Sequence, residues 1–525
     1  MASFTGSNWF LIIVAVVISI LAIGVALYLL VAYQHPEDHN QAWIPKIVVL
    51  FGITLAIWTV LLFPLDVANR HACAADVPYS SCSTTIPTHT LWFVCYICIA
   101  VMSFIIVPTT MFYYEGDSDL SLAQRWTQAF LYEIGVIVFL ACVLAVGYSV
   151  GGKVQYPLMA LESGLAPLAD LSNTTALLNN CIVPSSGPTA SKRFYNGRLC
   201  DAINGNIPES TWSQQVSFII YVIAITATIG WLLFMAFAGI GLVALPFDLV
   251  REFLGRPKST ITRSEYIKRA QGLGARAKEV KDVGDKLKRE EREFGRGRKF
   301  RGKLRTLEQQ VLLLEEDGEK LEKVFPQGED PDYMWIITVI MFWVKLVAGI
   351  LGGCVSILWL AQVVAYIFTY PPLDPFLNTV FTKLDSVFPL FGTLAFAIFC
   401  FYLILCTIKG CLKCGLNFLF LPVYPMRPGA TLMSAFLFNI GLVLLAVSAS
   451  ILFCAQAFAL YANSTAIQEI FGNQMLSLEG IRYLYSTHVF IYCMFGFVGL
   501  TIVYLAVRGP DRWKRRKLED VYADG

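Results

Sequence analysis

The feature that most constrains this chain is a succession of apolar windows, each long enough to cross a bilayer. A hydrocarbon core of about 30 Å takes roughly 17 to 25 apolar residues in helical conformation, and nine windows reach that length. They run from Trp9 to Tyr33, Trp43 to Leu65, Thr90 to Phe112, Ala129 to Val150, Val216 to Leu245, Met334 to Phe368, Val387 to Ile408, Leu432 to Leu460 and Val489 to Val507. Soluble domains carry about 25% charged residues. Here 15% are charged against 56% hydrophobic, so a soluble fold is excluded. The expected fold class is an all-α, polytopic membrane protein with about nine transmembrane helices.

Nine crossings put the termini on opposite faces, and the excess of Lys and Arg on the cytosolic side chooses between the two topologies. With the N-terminus outside, the cytosolic segments hold Arg125, about 21 basic residues between Arg251 and Lys323, Lys409, Lys413, Arg427 and the tail from Arg508 to Lys517. The outer segments then hold only Arg70, Lys153, Lys192, Arg193, Arg198, Lys383 and Arg482. This predicts an outer N-terminus and a cytosolic C-terminus. Two features independent of that count agree. The glycosylation tripeptides at Asn173 and Asn463 fall outside. So do Cys73 with Cys82 and Cys181 with Cys200, two within-loop pairs suited to disulfides in an oxidising compartment. The first window lacks preceding basic residues and a small-x-small cleavage site, and reads as a helix that is kept rather than a signal peptide.

The expected organisation is a five-helix membrane bundle over 1–246 with an outer loop at 151–212, a cytosolic helical hairpin over 247–333, a four-helix bundle over 334–507 and a basic cytosolic tail at 508–525. In the hairpin, ITRSEYIKRAQGLGARAKEVKDVGDKLKREEREF has helical apolar spacing, and GRGRKFRG breaks it. Leu304, Leu307, Val311, Leu314, Leu321 and Val324 then follow the spacing of a coiled coil. The region reads either as a solvated mixed-charge helix or, through residues 259–323, as a dock for cytosolic proteins or a second copy in a homo-oligomer. The basic tip GRGRKFRGK and tail RWKRRK suit anionic membrane lipid at about 1 kcal/mol per basic residue, a more economical reading than nucleic acid.

No catalytic constellation emerges, so the chain does not read as an enzyme and no cofactor is expected. GYSVGGKV from Gly147 imitates a phosphate loop but ends in Val154, where Ser or Thr is needed. GIGLVA from Gly239 follows an apolar helix where a dinucleotide site needs a strand. His35 and His39 have metal-ligand spacing, but Pro36 favours a turn, and no metal site is expected. Cys411 and Cys414 form a lone Cys-x-x-Cys, better suited to palmitoylation or to no role than to zinc. Among ionisable groups within spans, Lys345 lies about eleven residues into its window and needs a polar cavity or a carboxylate partner. Lys46 and Glu133 are expected to reach water, and Asp66 and Asp385 to mark boundaries. Pro246 and Asp248 are expected to mark the cytosolic mouth of the fifth helix.

Several segments taken together resemble one family. FPLDV (Phe63 to Val67, with Pro64 and Asp66), PTTMFYYEGD (Pro108 to Asp117, with Tyr113, Tyr114 and Glu115), GLVALPFDLV (Gly241 to Val250, with Pro246), LRTLEQQVLLLEE and MRPGATLMSAFLFNIGL (Met426 to Leu442) are similar to those of the limb-region-like conserved membrane proteins. That group includes the lipocalin-interacting membrane receptor and the lysosomal cobalamin exporter, and YQHPEDHNQA with ATLM and FLFN places this chain nearer the receptor-like members of plants and protists. The resemblance covers nearly the whole chain. It implies a receptor or transport protein for a small hydrophobic ligand or its carrier, in the plasma membrane, endosome or lysosome. It supplies no catalytic residues. The alternative is an adaptor whose hairpin recruits signalling or trafficking proteins.

Overall fold

The computed structural model describes residues 9–35, 38, 43–71, 86–116, 121–158, 210–256, 263–294, 303–304, 307, 310–311, 313–314, 317–318, 321–322, 325, 331–369, 375–388, 390–413, 431–463 and 465–507. Among the described residues nine helices are long and apolar enough to span a membrane. The chain divides into two compact units, one of Met1–Leu233, Phe376–Ala397 and Val423–Tyr492, the other of Phe234–Pro375, Ile398–Pro422 and Cys493–Gly525.

The first unit opens with α1 (Trp9–Tyr33), α2 (Trp43–His71), α3 (Thr88–Glu115) and α4 (Leu122–Gly151). Inside α3 a π-turn spans Met102–Ile106, just before Pro108. Proline has no N–H for the carbonyl four residues back, and a widened turn is one way a helix absorbs that loss. After α4 come the strands β1 (Lys153–Leu158) and β2 (Ser210–Gln215), antiparallel with Lys153 opposite Gln215 and Leu158 opposite Ser210. No strand was expected here. The edge of β1 is covered by the segment 477–479, through Gln155 N to Ser477 O (3.0 Å) and Glu479 N to Lys153 O (2.8 Å), which blunts an otherwise open pairing edge.

The unit continues with residues up to Leu233 of α5 (Phe218–Leu254), then α8 (Phe376–Val387), the start of α9 (Phe391–Lys413), α10 (Met433–Ala457), a π-turn at Gln468–Met475 and α11 (Arg482–Ser486). The helix α10 is apolar on all faces, which is the pattern of a helix surrounded by others. Accordingly 89% of its apolar window is buried, against 17% for α1. It meets α2 and α3. Small residues bring the neighbours close: a Cβ on Gly52 would meet the Ile440 side chain, and one on Gly230 the carbonyl of Leu445, the close approach that small residues permit in membrane bundles.

The second unit holds α5 from Phe234, α6 (Arg263–Phe294), α7 (Pro331–Gln362, ending in a π-turn at Val363–Phe368), α9 from Ile398 and α12 (Val489–Val507) from Cys493. Tyr266 stacks on Phe325 at 4.5 Å, Arg276 pairs with Asp317 at 3.8 Å, and Gly284 faces Leu307. As one number rises the other falls, so α6 and the segment after it run antiparallel. Leu321 is buried there but Val311 is 37% exposed, so the seven-residue pattern is not uniformly packed; Val324 lies outside the described residues.

Helix α5 does not end where its proline does. It continues past Pro246 to Leu254, so the helix ends later than its apolar stretch, which stops near Pro246 and Asp248 as the sequence suggests. The physical reason is a substitute donor, described below.

Candidate functional site

In the first unit, buried polar side chains gather at the two ends of α2. At one end is Asp66, wholly buried. Pro64 lies inside the same helix. The Asp66 carboxylate accepts from Trp92 Nε1 (2.9 Å) and from the backbone N of Ile467 (3.2 Å), the residue just before the Gln468–Met475 π-turn. Phe63 packs edge-on against Trp92 and Phe396, with ring centroids 6.2 and 4.9 Å apart. Asn69 closes the same end, donating to Ile86 O (2.9 Å) and accepting from Ile86 N (3.3 Å). A second carboxylate of the first unit, Asp385 of α8, accepts from Tyr461 Oη (2.6 Å) and Gly392 N (2.8 Å). It holds the tight turn in which Leu390 adopts φ 115°. Burial, with the Asp385 carboxylate as acceptor, pushes the Tyr461 hydroxyl well above its ordinary pKa. Thus Asp66 and Asp385 lie at helix ends but are bonded within the protein.

At the other end of α2, Asp38 is 5% exposed and accepts from Tyr114 Oη (2.9 Å) and Met433 N (3.3 Å). Met433 is the first residue of α10, whose first amides have no partner within the helix, so Asp38 acts as a cap supplied from another segment. Gln34 bridges Thr431 alongside. Three segments singled out in the sequence, YQHPEDHN, FYYEGD and ATLM, therefore meet here. Tyr113 stacks on Trp126 at 4.5 Å, joining α3 to α4, while Glu115 is exposed.

In the second unit Pro246 leaves the Leu242 carbonyl, four residues back, without its helical donor. Ser356 Oγ of α7 donates to it at 2.7 Å. Ser356 Oγ also lies 2.6 Å from Tyr402 Oη. A serine hydroxyl has one proton, so Tyr402 donates to Ser356 and Ser356 to Leu242. Hydroxyl repair of a freed carbonyl is how membrane helices tolerate proline. Around this point α5 and α9 cross closely, since a Cβ on Gly241 would strike the Cys406 backbone and one on Gly410 the Phe237 backbone.

Beyond Pro246, Asp248 pairs with Lys409 (3.1 Å) and Lys413 (2.5 Å), and Glu252 with Lys345 (2.6 Å). Lys345 is thus level with the charged end of α5. Its window is longer than a crossing needs, which is why its position along the sequence misplaces it in depth. Two other expectations are corrected. Lys46 and Glu133 do not reach water, being 7% and 0% exposed. Glu133 turns inward on the inner stripe that it shares with Ala129, and its carboxyl has no hydrogen-bond partner among the described residues. Cys411 is 2% exposed, too buried for an acyl chain; Cys414 lies outside the described residues.

Cys73, Cys82, Cys181, Cys200 and Asn173 also lie outside the described residues. Asn463 is exposed, while Thr465 of its tripeptide is buried and donates to Ala462 O (2.7 Å). Sequence reasoning passed over Asp38, Trp92, Ser356, Tyr402 and Asp248 as members of a network. A proline inside a helix does announce a carbonyl in need of a donor, but not which donor.

Comparison with known proteins adds the family. The model of the LMBR1-like membrane protein family matches residues 8–301 and 304–503. A LIMR family protein of Arabidopsis thaliana is 44% identical over 97% of this chain and 97% of its own length, and one of Oryza sativa subsp. japonica 42% over 97% and 98%. A LIMR family protein of Dictyostelium discoideum is 32% identical over 96% and 98%. No solved structure matches the chain. With signature segments meeting at helix ends and the match running through the nine long apolar helices found among the described residues, the chain belongs to the LMBR1-like, or LIMR, family of multi-pass membrane proteins.

Proposed function

We propose that this protein is a membrane receptor or transport protein that takes up or passes a small hydrophobic ligand or its carrier, its N-terminus and the 151–212 loop outside, its 259–323 hairpin and 508–525 tail in the cytosol. The observation that carries the reading is the number of polar groups buried within one apolar bundle. In the first unit Thr59, Asp66, Tyr96, Asn439, Ser448 and Ser450 are each at most 1% exposed, and Tyr96 Oη donates to the Ser448 carbonyl across helices at 3.2 Å. Thr59, Asn439, Ser448 and Ser450 bond to carbonyls of their own helices, whereas Asp66 is ionisable, and an ionisable group inside a membrane bundle is costly and supports a functional site there.

A second reading is favoured by the antiparallel pairing of α6 with the segment up to Phe325: an adaptor that recruits cytosolic proteins there. The full-length chain, purified in mild detergent, separates the two readings by mass spectrometry of what it retains, against an unrelated nine-helix protein. One enriched hydrophobic metabolite or carrier, kept when Ser259 to Lys323 are deleted, is the expected result. Enrichment of cytosolic proteins alone, lost on that deletion, overturns it in favour of the adaptor. Glycosylation at Asn173 and protection of the hairpin from external protease are expected of the orientation; protease cleavage of the hairpin in intact cells refutes it.

A further inference from the structure

The charged end of α5 in the second unit is not charge-balanced. Asp248 and Glu252 stand one turn apart on the same face of the helix, and three ammonium groups from two other helices converge on them: Lys409 and Lys413 from α9 and Lys345 from α7. Three positive charges meet two negative ones. Glu252 and Lys345 neutralise each other at 2.6 Å, so the surplus falls on Asp248, which both α9 lysines share. For these two lysines no partner besides Asp248 occurs among the described residues. Each ammonium carries three N–H donors and turns one toward Asp248, leaving donors over beside a carboxylate that is itself only 18% exposed. The lysine side chains are 31% and 28% exposed, open enough to accept a ligand yet sheltered enough that water does not fully screen them.

The surroundings place this surplus at headgroup depth. The apolar stretches of α5 and α9 both end here. Trp343 and Phe247 stand 52% and 42% exposed at the same end, as side chains of an aromatic belt do. The Arg256 guanidinium lies 3.6 Å above the Phe253 ring and 5.7 Å from that of Trp343, a cation held against the apolar surface. An apolar rim beneath a sheltered positive site fits a molecule with acyl chains below and a phosphate above.

We propose that Lys409 and Lys413, whose two charges the single Asp248 carboxylate only half neutralises, bind the phosphate of an anionic membrane lipid. The lipid phosphate supplies the missing negative charge. The assignment is independent of the ligand or partner on which the protein acts.

The test is native mass spectrometry of the full chain, delipidated in detergent and then titrated with phosphatidylglycerol or phosphatidylcholine. The wild type should retain phosphatidylglycerol in preference. Lys409→Gln with Lys413→Gln should weaken that retention roughly ten- to thirtyfold and leave phosphatidylcholine unaffected, and Lys409→Arg with Lys413→Arg should keep it. Asp248→Asn decides the matter even where the double glutamine variant does not fold: it raises the net positive charge and should hold phosphatidylglycerol at least as well as the wild type. Equal retention of the two lipids by the wild type, or loss of phosphatidylglycerol in Asp248→Asn, overturns the proposal, the cluster then being an internal ion pair. Competition by inorganic phosphate as effective as by phosphatidylglycerol also overturns it, the ligand then being a soluble phosphate.

Discussion

The chain Tyr402–Ser356–Leu242 makes an energetic claim that can be worked through. Ser356→Ala removes the side-chain donor to the Leu242 carbonyl and the acceptor of the Tyr402 hydroxyl, in a site where Ser356 is 6% exposed. A buried polar group stripped of its partner costs about 1–3 kcal/mol, so the substitution should destabilise the protein by about that amount. The cause, however, is Pro246. In a Pro246→Ala background residue 246 has an N–H again, directed at the carbonyl four residues back, and the helix can close its own bond. The same Ser356→Ala change should then cost roughly 0.5–1 kcal/mol, the part owed to Tyr402 alone. The four proteins of this cycle, unfolded by a denaturing detergent in mixed micelles, give the coupling directly. We expect about 1–2 kcal/mol. A Ser356→Ala penalty that is the same in both backgrounds, within about 0.5 kcal/mol, would mean that the hydroxyl does not serve the carbonyl freed by proline, and would refute the account of why α5 continues to Leu254.

Two further outcomes follow from single residues. Gly241→Ala should destabilise by about 1–3 kcal/mol or more, because its Cβ meets the Cys406 backbone. Gly272→Ala on α6, where nothing lies within 4 Å, should stabilise by about 0.5–1 kcal/mol; equal effects in thermal unfolding of the two variants would contradict the close crossing of α5 and α9. Burial lowers the His488 imidazole below its ordinary 6.5, so the unfolded chain binds the extra proton first and the contribution of His488 to stability is complete above about 6.5 and is lost as pH falls. His488→Asn, which tolerates the φ of 52° at this position, should flatten that part of the stability profile; an unchanged slope below the ordinary value would show that the acid sensitivity lies elsewhere.

What the sequence made legible is the bilayer, and the bilayer is not the same thing as the helix. Hydropathy begins the fourth window at Ala129, yet α4 starts at Leu122, its Ser121 and Gln124 forming a capping box in polar surroundings. It ends the fifth near Leu245, yet α5 runs on through Asp248 and Glu252. In both cases the backbone goes on bonding to itself after the side chains stop being apolar. The strands β1 and β2 escaped notice for a related reason. KVQYPL and STWSQQ are short and mixed in polarity, and what binds them is each other, 52 residues apart at the nearest ends, together with a cover from 477–479.

The site was legible in its residues and not in its pairings, and the physics of the membrane accounts for both. Where water is absent a buried donor or acceptor must find a protein partner, so a polar residue such as Asp66 or a proline such as Pro246 inside an apolar run signals that a contact exists. Nothing local says where. Asp66 meets Ile467 across 401 residues and Asp38 meets Met433 across 395, each at the start of a helical turn whose backbone amides the helix itself cannot satisfy. That regularity carries information the side chains alone did not: both carboxylates act on helix beginnings delivered from the far end of the chain. An aspartate in a short polar interruption is therefore better read as the cap of a distant helix than as a boundary residue facing solvent, and the helix to test first is the one most deeply buried, because its amides have no water to turn to.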